Sequence, residues 1–275
     1  MWSFNSLFGK IFALLLQPFR SFNPWVGMAV ISLITGLLML LIFKYTSNQK
    51  GIRRTKDRIK AHLLEMRLYK DSLSTTLKAQ GGILKANLRY MSYSLIPLMV
   101  MIVPVLLILI QLNFWFNYSP LQTGESVLLK VTLKPEYNPM EIDLQLQPSP
   151  AFVEEVPALR IEEENEIDWR LSFTESGTHS LILLVGDERL EKSVTVGDGR
   201  IQRLSPLRVR RNVFQELLYP AEPPLPQDSP VIAIEVIYAT QGLDLFGFSI
   251  HWLIAFFVLS VIFGFSFKGV FGVDI

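Results

Sequence analysis

The sequence contains no cysteine and only three histidines among its 275 residues. The first absence excludes disulfides, zinc–thiolate sites, iron–sulfur clusters and thiol nucleophiles. The histidines, His62, His179 and His251, fall in three separate segments and do not suggest one site. His179 reads as an exposed turn residue and His251, beside Trp252, as an interfacial one. Also missing are a GxGxxG after a strand, a Walker loop, an HExxH pair and a GxSxG elbow. No catalytic residue, resident metal or cofactor is expected, so the chain reads as a non-enzyme. Nucleic-acid binding would need aromatic platforms or groove-reading helices, and the expected position of the arginine cluster outside the membrane argues against it.

Charge is absent from three long stretches: Trp25 to Phe43, Met91 to Phe116 and Phe246 to Phe267. Each is long enough to cross a hydrocarbon core of about 30 Å as a helix. The segments between them differ in sign. Lys44 to Tyr90 carries twelve Lys or Arg against three acids, and Asn117 to Leu245 carries 21 acids against 11 bases. Short basic loops stay in the cytoplasm. The expected location is therefore a plasma (inner) membrane, crossed three times, with the N-terminus outside and the C-terminus cytoplasmic. A cleaved signal peptide is the rival for the first run, but its positive charge would precede the apolar core, and here it follows at Lys44, Lys50, Arg53 and Arg54.

Residues 1–23 place Phe4, Phe8, Ile11, Phe12, Leu15 and Phe19 on one helical face. This suits an amphipathic helix lying at the membrane interface, with Trp2 and Trp25 at headgroup level. A helix packed against the spans is the alternative, and Pro18 ends or kinks it in either case. Residues 24–43 form the first span and 44–90 a basic coiled-coil hairpin. Its seam is Ile52, Ile59, Met66 and Leu73, one residue per heptad, with Leu63, Leu77 and Leu84 on an adjoining stripe. The hairpin should turn near 70–76, and Gly81-Gly82 should break the returning arm. Its charge would attract anionic lipid, or simply enforce topology. The second span, 91–116, contains Pro97 and Pro104 on nearly one face, two expected helix kinks whose role is either structural or the lining of a cavity.

Residues 117–203 read as strands: Ser126 to Leu133, Glu141 to Leu146, Asp168 to Phe173, Ser180 to Val185 and Leu190 to Val196. The Asp168 and Ser180 strands look like a hairpin around Glu175-Ser176-Gly177. Short strands at this spacing, with Trp169 among them, suggest an extracytoplasmic all-β immunoglobulin-like sandwich. Residues 204–245 are a proline-rich linker or covering segment with a last strand at Ser229 to Ala239, 246–268 the third span and 269–275 a tail. The acids Glu162, Glu163, Glu164, Glu166 and Asp168 read as a solvated loop rather than a divalent-cation site. The arginines Arg200, Arg203, Arg208, Arg210 and Arg211 read as a solvated face, with lipid headgroups or an acidic partner as the functional alternative.

Span, basic coiled-coil hairpin, span: this layout resembles the Oxa/YidC/Get insertase superfamily. The likeness is greatest to the three-span branch that includes the third subunit of the eukaryotic ER membrane complex and its prokaryotic relatives. The residues that carry the resemblance are WVGMAVISLITGLLMLLIFKYTSNQK (25–50), KDRIKAHLLEMRLYKD (56–71), LRYMSYSLIPLMVMIVPVLLILIQLNFWF (88–116) and HWLIAFFVLSVIFGFSFK (251–268). The resemblance implies a membrane-protein insertase or chaperone whose coiled coil receives nascent membrane proteins and whose spans enclose a hydrophilic groove in the lipid bilayer. Lys44, Asn87, Arg89, Ser92 and Ser94 would sit in the groove or at its cytoplasmic mouth. A small helical membrane partner or a homo-oligomer would complete the groove. One feature departs from the family: the β domain lies between the second and third spans, where three-span relatives have a short loop. That leaves a second expectation, a non-catalytic subunit or scaffold of a larger membrane complex with the β domain as its binding module.

Overall fold

The computed structural model describes residues 2–197 and 201–274, with the side chains of residues 2–5 excepted. The expected roles of Trp2, Phe4 and Arg200 lie outside the described residues. The chain forms two compact units, one of Met1–Gly27 with Leu109–Trp252 and one of Met28–Ile108 with Leu253–Ile275.

The first unit begins with α1 (Trp2–Leu16) and a short 3-10 turn at Gln17–Phe19, where Pro18 ends the α-helix as expected. Among the described side chains of α1, Gly9, Phe12 and Leu16 are buried positions, while Leu7, Ile11 and Leu14 stay exposed. The helix therefore packs on its own unit along a narrower face than its apolar pattern offers, and leaves apolar side chains uncovered on another.

The unit's strands form two larger antiparallel sheets. The first, in the order β3 (Phe152–Ile161), β4 (Glu166–Phe173), β1 (Ser126–Leu133), β8 (Val231–Val236) and β7 (Leu207–Val209), has five strands. The second, in the order β2 (Leu144–Leu146), β5 (Gly177–Val185) and β6 (Glu188–Val196), has three. Val127, Leu129, Val131 and Leu133 alternate inward along β1, as a half-buried strand requires. They share one buried cluster with Trp169 and Phe173 of β4, Leu181 and Leu183 of β5, and Val194 of β6. Burying each such large apolar side chain contributes about 1.5–3 kcal/mol.

Two sequence expectations are corrected here, and the proline-rich stretch takes one of its two expected forms. The Asp168 and Ser180 strands do not form a hairpin: β4 pairs with β1 and β3, and β5 with β6 and β2, so the chain crosses from one sheet to the other at Glu175–Gly177. Gly177, at φ 138°, supplies a backbone that a side chain would oppose. The proline-rich stretch is a covering segment with β7 and a short helix, α5 (Val213–Leu218), and it buries Leu204 and Leu225. The apolar run from Phe246 does not begin a helix. Leu243–Leu245 (β9) and Phe248–Ile250 (β10) pair as a two-stranded hairpin, and the helix α6 starts only at Trp252.

In the second unit, α2 (Pro24–Thr46) contributes its length from Met28 onward, and α3 (Gln49–Leu68) follows after a short turn. Asn48 caps α3 by accepting from the Gly51 N–H at 2.9 Å. The chain turns at Tyr69–Ser72 and returns as α4 (Leu73–Phe116), a single 44-residue helix. Gly81-Gly82 does not break it. A Cβ at Gly82 would stand 2.6 Å from the His62 ring, so the glycine serves close approach of the two arms rather than a chain reversal. Both α2 and α4 are long and apolar enough to cross a membrane. The third apolar helix, α6 (Trp252–Phe267), has 16 residues and rises about 24 Å, less than the run read from the sequence.

Candidate functional site

The basic hairpin of α3 and α4 packs in one antiparallel register. Gly51 faces Tyr93, the Lys56 ammonium lies 5.9 Å from the Tyr90 ring centre, and His62 faces Gly82. Its buried positions are Ile52 and Thr55 on α3 and Ala79 and Ala86 on α4, with Ile59 and Met66 half-buried. Leu73, expected in the seam, is 76% exposed, because the heptad register restarts after the turn at Tyr69–Ser72. Leu63, Leu77 and Leu84 are exposed as well. His62 Nδ1 lies 3.0 Å from a Glu65 carboxylate oxygen. The end of the chain is tied to the start of α3: Asp274 pairs with Arg53 at 3.0 Å and its N–H donates to Gln49 Oε1 at 2.8 Å. Val273 is buried against a cluster with Leu40, Phe43 and Ile52.

Of the expected groove residues, Lys44 is half-buried in the last turn of α2. Asn87 and Ser94 are seven residues apart on α4 and share a face, whereas Arg89 and Ser92 fall on the opposite one. Ser92 Oγ donates to the Arg89 carbonyl at 2.7 Å and Ser94 Oγ to the Tyr90 carbonyl at 3.3 Å. These hydroxyls are thus turned back on their own helix. Pro97 is buried and Pro104 half-buried within α4. Each deprives a carbonyl one turn earlier, Tyr93 and Val100, of its helical donor.

The cavity of this unit lies elsewhere. A partly open pocket of about 300 Å³ lies between α2, α4 and α6, lined by Met39, Phe43, Met101, Val105, Phe256 and Phe265 among others. Thr35 and Ser260 are the hydroxyl-bearing residues of a lining that is otherwise apolar, and none of the five expected groove residues reaches it. Ser32 and Ser260 each bury a hydroxyl oxygen without a hydrogen-bond partner. The helices α2 and α6 meet through small residues. A Cβ at Gly36 would lie 2.8 Å from the Ser260 carbonyl oxygen and 3.2 Å from the Gly264 nitrogen. Ser32 to Gly36 and Ser260 to Gly264 are two small-xxx-small pairs, the spacing that lets apolar helices approach closely. That signal was present in the sequence and passed over in favour of the polar residues.

In the β unit, Glu162, Glu163, Glu164 and Arg211 are exposed, as expected of a solvated loop and face, while other polar groups noted in the sequence are structural. Glu166 accepts from Lys130 at 3.3 Å and from Thr132 at 3.2 Å. Burial pushes the Asp168 carboxyl above its usual range, against the opposing pull of Lys130. Arg203 donates to the Pro220 carbonyl at 3.0 Å, and Arg208 to the carbonyls of Pro223 and Glu191. Burial lowers the pKa of both guanidinium groups. They pin the covering segment rather than form a solvated face. His179 is not a free turn residue: its ring stacks on Phe173 at 5.5 Å and its Nε2 lies 2.8 Å from the Glu175 carbonyl oxygen. Among the described residues no group of three or more His, Asp or Glu is gathered closely enough to hold a metal. No family model matches the chain, and no curated protein or solved structure is detectably similar to it.

Proposed function

We propose that this chain is a non-enzymatic membrane protein of insertase or chaperone type. In this reading it is anchored in a plasma (inner) membrane by α2, α4 and the shorter α6, with the basic hairpin in the cytoplasm and an immunoglobulin-like β-sandwich outside. Its work would be to receive apolar segments of nascent membrane proteins along the hairpin and shelter them beside the helices. The observation that carries the reading is the apolar cavity between α2, α4 and α6, together with the bareness of α4, whose apolar window is only 22% buried. Because the cavity lining is apolar, the guest best suited to it is the hydrophobic part of a substrate helix rather than its polar flanks.

Photocrosslinking in living cells tests this. A crosslinking amino acid is placed at Met101, which lines the cavity, and another at Met66 on the hairpin, and new proteins are pulse-labelled. Crosslinks to many short-lived nascent membrane chains at both positions support the reading. Crosslinks only to one or two stable, mature proteins sink it. That result makes the chain a subunit of a larger membrane complex, with α4 covered by those partners.

A further inference from the structure

The β9–β10 hairpin carries an unusual tip. Leu245 pairs with Phe248, so the loop is two residues, Phe246-Gly247. Both have positive φ, 52° and 86°. Two positive φ values are the signature of the tight type I′ hairpin turn, whose first position favours Asn, Asp or Gly. A phenylalanine there opposes local preference, and it gains nothing from burial: Phe246 is 95% exposed and Phe248 76% exposed. The Asp244 carboxylate accepts from the Gly247 N–H at 3.0 Å and helps to hold the turn.

The same unit fixes where this tip is held. The Trp25 indole donates to the Asp244 carbonyl at 2.6 Å, so the hairpin is fastened to the first turn of α2. The Gln241 N–H donates to the Asn117 carbonyl at 2.9 Å, and the Trp252 indole to the Asn117 side-chain oxygen at 3.1 Å. The base of the hairpin is therefore tied to the end of α4 and to the start of α6. The ends of three apolar helices converge on it, and two of the three hydrogen bonds come from indoles. Indoles of this kind favour the level of lipid headgroups.

We infer that the Phe246–Phe248 tip is a bilayer anchor, inserting its aromatic rings among the headgroups and upper acyl chains of the leaflet on the β-unit side. The inference rests on the reading of α2 and α4 as membrane helices. The strained backbone at Phe246 is then the cost of presenting a ring outward where lipid covers it.

Because the chain has no cysteine, single cysteines can be placed and labelled without background. The full chain is labelled with the environment-sensitive fluorophore NBD at Phe246→Cys or Phe248→Cys. It is reconstituted into phosphatidylcholine–phosphatidylglycerol vesicles formed with iodide on both faces, or with nitroxide-bearing lipids of known depth. Leu38→Cys within α2 reports the membrane helix and Glu163→Cys in the β3–β4 turn reports water. The expected result is emission at 246 and 248 shifted to shorter wavelength, quenched by shallow nitroxides and spared by iodide. Iodide quenching equal to that at 163 overturns the anchor, and shielding from both quenchers overturns it in favour of a protein partner or second copy. Loss of nitroxide quenching at Leu38→Cys instead removes the membrane reading itself, and the anchor with it.

Discussion

The ammonium of Lys192 lies 2.5 Å from the carboxylate of Glu222 in the β unit, and the lysine side chain is fully buried. Lys192 stands on β6 at an inward position, between Leu190 and Val194. It also donates to the Ser205 carbonyl at 2.5 Å and to the Ser205 hydroxyl at 3.1 Å. The other Glu222 oxygen accepts the Ser193 N–H at 2.6 Å. Burial drives the lysine pKa down, and Glu222 opposes that fall. The pair joins the second sheet to the proline-rich covering segment by a charge that cannot be left alone.

Removing one partner should therefore cost more than removing both. Glu222→Gln leaves a buried ammonium without its counter-charge, a change that typically costs about 3–5 kcal/mol. The double change Lys192→Met with Glu222→Leu should recover most of that loss. Thermal unfolding of the full chain in detergent, followed in the strand region of the circular dichroism spectrum, gives the comparison. Equal melting temperatures for Glu222→Gln and the parent would show that the pair does not hold the segment.

Asp168 gives a pH dependence of definite sign. Burial raises its pKa above the ordinary value of 3.8, so the folded chain holds this proton more tightly than the unfolded chain. The stabilisation from protonating it is complete below 3.8 and is lost as pH rises through the folded-state value. Asp168→Asn should raise the melting temperature of the β unit at pH 7, and the gain should shrink as pH approaches 4. A gain that does not change with pH would assign the effect to packing.

The hairpin seam separates two apolar side chains that look alike in the sequence. Ile52 is fully buried, and Leu73 is 76% exposed. Ile52→Ala should cost about 2–5 kcal/mol and speed amide exchange through α3. Leu73→Ala should leave the exchange of both arms unchanged. Equal effects from the two substitutions would refute the packing described.

The sequence carried much of this architecture and missed other parts for identifiable reasons. The period of Ile52, Ile59 and Met66 marked the hairpin, because those residues lie within one uninterrupted helix. Extending it to Leu73 failed, since a heptad has no meaning across the turn at Tyr69–Ser72. Strand β1 was legible residue for residue from its alternation. Its partners were not, because adjacency in sequence suggested a β4–β5 pair where the chain in fact changes sheets. Phe246 to Ile250 is uncharged and runs straight on into the apolar helix after it, so the absence of charge could not separate hairpin from span. At the candidate site, charge and hydroxyl groups drew the reading to Arg89 and Ser92. The residues that build the cavity, Gly36, Ser260 and Gly264, announce themselves only by being small.

Gly36 makes the sharpest test of that cavity. Its Cα faces backbone on α6, with the Ser260 carbonyl and the Gly264 nitrogen both inside the reach of an added methyl group. Backbone cannot swing aside as a long side chain can, so Gly36→Ala must push α2 and α6 apart. Overpacking of this kind costs about 1–3 kcal/mol. Gly81 is the matched control, because a Cβ there meets nothing within 4 Å. Gly81→Ala should stabilise α4 by up to about 1 kcal/mol through helix propensity alone. The two alanines should thus move the melting temperature of the full chain in detergent in opposite directions. Gly36→Ala should also weaken crosslinking from Met101, since the walls of the cavity no longer meet. A Gly36→Ala chain that melts and crosslinks as the parent does would mean that α2 and α6 are not in contact, and the cavity would not exist as described.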